Sequence, residues 1–128
     1  MNARGGAVLY TPEILALAVE LAHFPRDERH PRRGEAHSRV CGSRVALTVD
    51  LDAAGRIAAA GAQVTACAIG QASTALFLRS AKGQDANGLA SALEEIEAWL
   101  AGDGTAPAWP DIQVLAAARA FPARHAAI

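Results

Sequence analysis

From residue 11 to residue 25, apolar side chains recur at helical spacing. Ile14, Leu17, Ala18 and Leu21 form one stripe, and Glu13 and Glu20 fall off it. Thr11-Pro12-Glu13 supplies an N-cap, a proline at the first helical position and an acid in the first turn. Pro25 ends the segment. Residues 25–38, with two prolines and a glycine, then read as an irregular polar connection. After it the period changes. Val45, Leu47, Val49 and Leu51 alternate with Ala46, Thr48 and Asp50, which is the pattern of a half-buried strand. Asp52-Ala53-Ala54-Gly55 reads as a hairpin loop, with glycine placed for positive φ. Ile57 opens a second strand that runs through Val64 to Cys67. Helical spacing returns over residues 71–82, with Ala72, Ala75, Leu76 and Leu78 apolar and Lys82-Gly83 as a stop. A further amphipathic helix carries Leu89, Leu93, Ile96 and Leu100, with Trp99 beside them, and ends at Gly102. Residues 103–110 are a connector. A short helical piece spans Ile112 to Arg119, and Pro122 starts a last helix that runs to Ile128. The pattern predicts an α+β fold: one helix, a small antiparallel sheet, then several helices.

A length of 128 residues predicts one domain spanning 1–128, with residues 1–10 as a loose tail. A chain this long can bury roughly two thirds of the surface that its unfolded form exposes, so it can build a core without metal or disulfides. The net charge of −1 gives no global field for nucleic acid or a membrane surface. Residues 26–39 hold Arg26, Arg29, Arg32, Arg33 and Arg39 among Asp27, Glu28 and Glu35. Such a mixed run reads first as a solvated loop, and second as a docking surface for an acidic partner. No stretch is apolar and long enough to span a bilayer, and no signal-peptide pattern follows Arg4, so the expected location is cytoplasmic.

Two cysteines in a reducing compartment point to thiolate chemistry or metal binding rather than a structural disulfide. The hairpin suggests that they meet. With the turn over residues 52–55, Val45 faces Ala62, and Cys41 falls near Ala66, one step from Cys67. Gly61 is a candidate bulge within this register. Cys41 is followed by the turn-prone Gly42-Ser43. Cys67 stands where a strand gives way to a helix, whose positive N-terminus favours the thiolate. A small buried core cysteine is the plain alternative for Cys67. No Ser/His/Asp signature or phosphate-binding glycine loop appears, so multi-step catalysis by the chain itself is not expected.

Four segments resemble one family. Arg39-Val40-Cys41-Gly42-Ser43 is similar to the first-cysteine motif, Cys-Gly-Asp, of the iron–sulfur cluster assembly scaffolds of the IscU, SufU and NifU N-terminal kind. Ala66-Cys67-Ala68-Ile69-Gly70-Gln71-Ala72-Ser73 resembles the second-cysteine motif, most like the SufU form Gly-Cys-Ala-Ile-Ser-x-Ala-Ser. Lys82-Gly83-Gln84 is similar to the family's Lys-Gly-Lys. Phe121-Pro122-Ala123-Arg124 resembles the segment leading to the third cysteine. The resemblance covers nearly the whole chain in the same element order. It implies an α+β scaffold fold with a three-stranded sheet, the third strand lying just before Cys41.

The resemblance also implies a site, and the chain departs from it. The family uses three cysteines and the aspartate two after the first. Here Ser43 stands at the aspartate position and Ala127 at the third cysteine, so only Cys41 and Cys67 carry over. A four-coordinate zinc or [2Fe–2S] site needs four donors. Ser43, His37 and His125, or the cysteines of a second copy in a homodimer, are the candidates for the rest. The implied function is a scaffold that binds iron or a nascent iron–sulfur cluster, with zinc as an alternative metal. A cysteine desulfurase and apo iron–sulfur acceptor proteins are the implied partners. Two further functions fit the same residues: a sulfur carrier with Cys41 as persulfide acceptor, or a non-catalytic desulfurase- or scaffold-binding module whose metal site has decayed. The Leu-Pro-Pro-Val-Lys motif read by the specialised chaperone of IscU systems is absent from residues 121–124.

Overall fold

The computed structural model describes residues 10–40 and 42–128. Cys41 and nearly all of the expected tail lie outside the described residues. Helix α1 covers Pro12–Glu20 and tightens into a 3-10 turn at Leu21–His23. Strands β1 (Arg32–His37), β2 (Arg44–Leu51) and β3 (Ile57–Thr65) follow, then helices α2 (Ala68–Ser80) and α3 (Ala86–Leu100). Two 3-10 helices, Ile112–Ala120 and Pro122–Ala127, close the chain. The strands form one antiparallel sheet in the order β1-β2-β3. The α+β class and the three-stranded sheet are as the sequence implied.

The N-cap of α1 is Thr11, whose hydroxyl accepts the Ile14 N–H at 3.2 Å. Ile14 and Leu17 are the buried pair of this helix. They pack with Ile69, Ala72 and Leu76 of α2 and with Ile112 and Leu115 of the C-terminal 3-10 helix in one core. The alanines at 72, 75 and 118 are nearly fully buried, which lets the helices approach closely. Trp109 joins the core, stacking on Phe77 with centroids 5.8 Å apart and donating its indole N–H to the Leu76 carbonyl at 2.9 Å.

Three expectations are corrected. Residues 25–38 are not irregular throughout, because Arg32–His37 form β1, the strand that the family resemblance placed before Cys41. Every residue of β1 is exposed, so no burial alternation marks it in the sequence. The β2–β3 register is two residues further along than expected: Val45 faces Val64, and Leu47 faces Ala62. The turn closes between Asp52 and Arg56, one residue longer than expected, and a bulge sets the pairing off by one more between Asp50 and Leu51. Gly61 is therefore not the bulge. Finally, α3 turns Trp99 rather than Leu93 to the core: Trp99 is 3% exposed and Leu93 is 57% exposed. The Arg119 guanidinium lies 5.2 Å from the Trp99 ring centroid, and its Nε donates to the Trp99 carbonyl at 2.8 Å.

Arg79 ties α1 and α2 to the C-terminal segment. Its guanidinium grips both Glu20 oxygens, with Nε to Oε1 at 2.9 Å, and reaches Asp111 Oδ2 at 3.0 Å. The hydrogen bonds from Arg79 hold the Glu20 carboxyl below its ordinary pKa of 4.5. A depressed carboxylate stabilises the fold above its unfolded pKa, and that contribution disappears as pH falls through the folded value. Arg79→Met should thus lower the melting temperature at pH 7, and the gap between variant and wild type should shrink as the pH is taken below 4.5. A thermal melt series against pH checks this.

Candidate functional site

The site gathers where β1 turns into β2 and β3 hands over to α2. Ser38 donates its N–H to the Ser43 carbonyl at 2.7 Å, and Gly42 donates to the Ser38 carbonyl at 2.9 Å. Gly42 has φ +71. Two residues opposing one, with a left-handed glycine first, is the G1 bulge, and it accounts for glycine at this position. The bulge aims Ser43 back toward the end of β3. There the extended residue Cys67 (φ −67, ψ 172) serves as the N-cap of α2 without a side-chain capping bond. Gln71 secures the junction: its amide Nε2 donates to the Ala66 carbonyl at 2.9 Å, and its backbone N–H donates to the Cys67 carbonyl at 2.9 Å.

Between these two junctions lies an open pocket of about 390 Å³. His37, Ser43, Arg39 and Arg44 line it from the hairpin, Ala66, Gly70 and Thr74 from the strand-to-helix junction, and Ala127 from the last 3-10 helix. Gly70 is where α2 and the C-terminus press together. A Cβ there would come within 2.7 Å of the Ala66 Cβ and 3.5 Å of the Ala127 Cβ. Positions 43 and 127, two of those at which the family motif has a ligand, therefore line one pocket, and the third, 67, adjoins its lining residue Ala66.

The individual residues differ in how they reach this pocket. His37 is exposed at the end of β1, paired with Arg44 of β2. Ser43 is half-buried in the pocket wall. Cys67 is half-buried and packs against the hydrophobic core; its neighbours Ala66 and Gly70 line the pocket, and Cys67 itself does not. Cys41 lies outside the described residues. His125 is elsewhere. Its Nε2 sits 3.2 Å from the Ala118 carbonyl and 3.1 Å from the Arg119 carbonyl, where it caps the preceding 3-10 helix and lines a separate cavity with Leu100 and Arg119. Among the described residues, no three His, Cys, Asp or Glu side chains are grouped closely enough to hold a metal ion. None of their helices is long and apolar enough to cross a membrane. Arg44 and Thr74 are pocket-lining residues that the sequence did not single out. Finding Arg44 required the β1–β2 pairing, which β1 does not signal.

The comparisons converge on one family. The profile of the NifU-like N terminal domain matches residues 22–126. The crystal structure of a nitrogen-fixing NifU-like protein (N-terminal) from Brucella abortus superposes with a TM-score of 0.84 at 28% identity, covering 94% of this chain and 84% of that one. A protein of Fervidobacterium islandicum AW-1, described as a putative iron–sulfur cluster assembly scaffold for the SUF system, superposes with a TM-score of 0.82 at 19% identity. It covers 93% of this chain and 88% of its own. At the second identity the likeness is one of fold. No curated protein sequence matches the chain significantly.

Proposed function

The chain belongs to the NifU-like N-terminal domain family, and from that premise we propose that it is a scaffold for iron–sulfur cluster assembly whose cargo is held through Cys41 and Cys67. The convergence of Ser43, the Cys67 junction and Ala127 on one open pocket carries this reading. Thiolates are the natural ligands of iron in a cluster, and a scaffold needs a site open enough to receive and release it. The pocket wall contributes an imidazole at His37 and a hydroxyl at Ser43, and Cys67 lies beside the lining residues Ala66 and Gly70. With Cys41, two thiolates would anchor iron or a [2Fe–2S] cluster, and His37, Ser43 or a second copy would complete the shell. His125 drops out of this set because its ring faces backbone carbonyls in another cavity. The partners of such a scaffold are a cysteine desulfurase that supplies sulfur and apo-proteins that accept the cluster. The described residues pack on a single core and act as one domain in this reading.

A site short of strong donors holds its cargo loosely, which suits transfer rather than storage. Anaerobic reconstitution with ferrous iron and sulfide should give the wild-type chain a charge-transfer spectrum. Cys67→Ser should cut bound iron by about tenfold or more, since it removes one of two thiolates, while the melting temperature stays close to wild type. A colourless wild-type protein would overturn the scaffold reading. It would favour the second one, a binding module with a decayed metal site, for which the apolar Ala127 in the pocket wall is the supporting observation.

A further inference from the structure

Strand β1 is the free edge of the sheet. Among the described residues it pairs with β2 on one side and with nothing on the other. All six of its residues are exposed, and a Cβ at Gly34 would have nothing within 4 Å. An edge of this kind presents unpaired N–H and C=O groups that can template another strand.

The register shows which groups those are. Ser38 N–H bonds to the Ser43 carbonyl, so this is a hydrogen-bonded pair, and it continues the ladder in which His37 faces Arg44. Hydrogen-bonded and non-hydrogen-bonded pairs alternate along an antiparallel ladder. His37↔Arg44, Glu35↔Ala46 and Arg33↔Thr48 are consequently non-hydrogen-bonded pairs. The backbone groups of Arg33, Glu35 and His37 thus point away from β2, toward the free edge.

We propose that β1 pairs antiparallel with β1 of a second copy of this chain, in the register that sets Arg33 of each copy opposite Glu35 of the other. Only outward-pointing residues can exchange hydrogen bonds across the new seam, which restricts Arg33, Glu35 and His37 to pairing among themselves near the two-fold axis. Charge then selects one register. Centring on Arg33, Glu35 or His37 sets each against its own copy, like against like, and centring on Ala36 sets Glu35 against His37 but Arg33 against Arg39. The register centred on Gly34 sets arginine against glutamate twice, each pair exchanging two backbone hydrogen bonds. Gly34 then faces Gly34, and with no side chain nothing clashes on that face. Glu35 makes no ion pair among the described residues, whereas Arg33 shares Glu28 with Arg26. The dimer would hold a continuous six-stranded sheet. Its two-fold axis sends the two candidate pockets to opposite ends, so each copy keeps its own site and the dimer does not depend on cargo.

Sedimentation velocity in chelator-containing buffer tests this. Wild type should associate weakly and reversibly as its concentration rises toward about 1 mM, as befits an interface of one short strand. Arg33→Glu and Glu35→Arg alone each set like charges opposite each other, and each should associate about tenfold more weakly than wild type. An equal mixture of the two variants pairs a strand carrying only carboxylates at positions 33 and 35 with a strand carrying only guanidiniums there. That mixture should recover or exceed the wild-type dimer. Glu35→Pro removes an N–H that the monomer's own sheet does not use, and should leave a folded monomer by circular dichroism. A wild type that stays monomeric throughout overturns the proposal. So do single variants that dimerise like wild type, or a mixture that fails to associate. None of these outcomes bears on iron loading, so the scaffold reading stands or falls separately.

Discussion

A chain carrying Ser43→Asp and Ala127→Cys should bind zinc with a dissociation constant in the nanomolar range or below, where wild type binds it far more weakly. The expectation follows from where the two positions sit. Ser43 is the second residue of the G1 bulge and lines the pocket, and Ala127 lines the same pocket from the last 3-10 helix, against Gly70. Cys67 follows the lining residue Ala66 in the chain. Wild type offers no grouping of three strong donors among the described residues. The double variant adds a carboxylate and a thiolate, which with Cys41 and Cys67 makes the Cys₃Asp set of a closed tetrahedral site. Each single substitution should give an intermediate affinity. Because thiols must lose their protons to bind, affinity should weaken as pH falls and zinc uptake should release protons. Competition against a chromophoric chelator reads the affinity, and a pH indicator in weak buffer reads the protons. A change of less than about tenfold in the double variant would mean that positions 43 and 127 do not converge on a common metal, and the scaffold reading would lose its geometric basis.

How much of this was legible in the sequence depended on burial. Helices α1 and α2 each bury one side, so their period of 3.6 appears in the order of apolar residues, and β2 shows its period of 2 in the alternation of Val45, Leu47, Val49 and Leu51 with more polar residues, although its burial does not follow that alternation. Strand β1 buries neither face. RRGEAH carries no period, and its strand character comes wholly from β2 beside it. Thr48 misleads in the opposite sense. It reads as an outward polar residue of β2 but is 1% exposed. Its hydroxyl is satisfied by the Asp27 N–H at 3.1 Å, by His30 Nδ1 at 3.1 Å and by the Gly61 carbonyl at 3.4 Å, none of them near in sequence. The candidate site divides along the same line. Cys67 at a strand-to-helix junction was readable locally, because the helix N-cap is a local feature. The register that sets the pocket's far wall differs by two residues from the one the hairpin suggests, since a bulge at Asp50/Leu51 leaves no mark in an alternation of alanines. The meeting of Cys41 with Cys67 falls outside the described residues.

Gly61→Ala should destabilise the fold by roughly 3 kcal/mol, combining an overpacking term with a lost buried hydrogen bond. A Cβ at this position would lie 2.0 Å from the Pro25 carbonyl oxygen and 2.8 Å from the Pro25 carbonyl carbon. Both neighbours are backbone, so no side chain can rotate away. The collision can be relieved only by lifting the segment after α1 off β3. That segment is attached there by the Ala62 N–H to the Phe24 carbonyl at 2.9 Å, and by the Asp27 N–H and His30 ring on the buried Thr48 hydroxyl. Lifting Pro25 strains all three bonds together and exposes Thr48. For a domain of this size, a loss of that order should lower the melting temperature by roughly 10 °C or more. Gly34→Ala is the matched control: the same change in the same sheet, at a position with nothing within 4 Å. Alanine costs a strand no more than glycine does, so that variant should melt within about 0.5 kcal/mol of wild type. Urea denaturation of both variants separates the two cases. Equal stability would show that the Pro25 crossing yields readily, and that glycine at 61 is not what lets the post-α1 segment lie against β3.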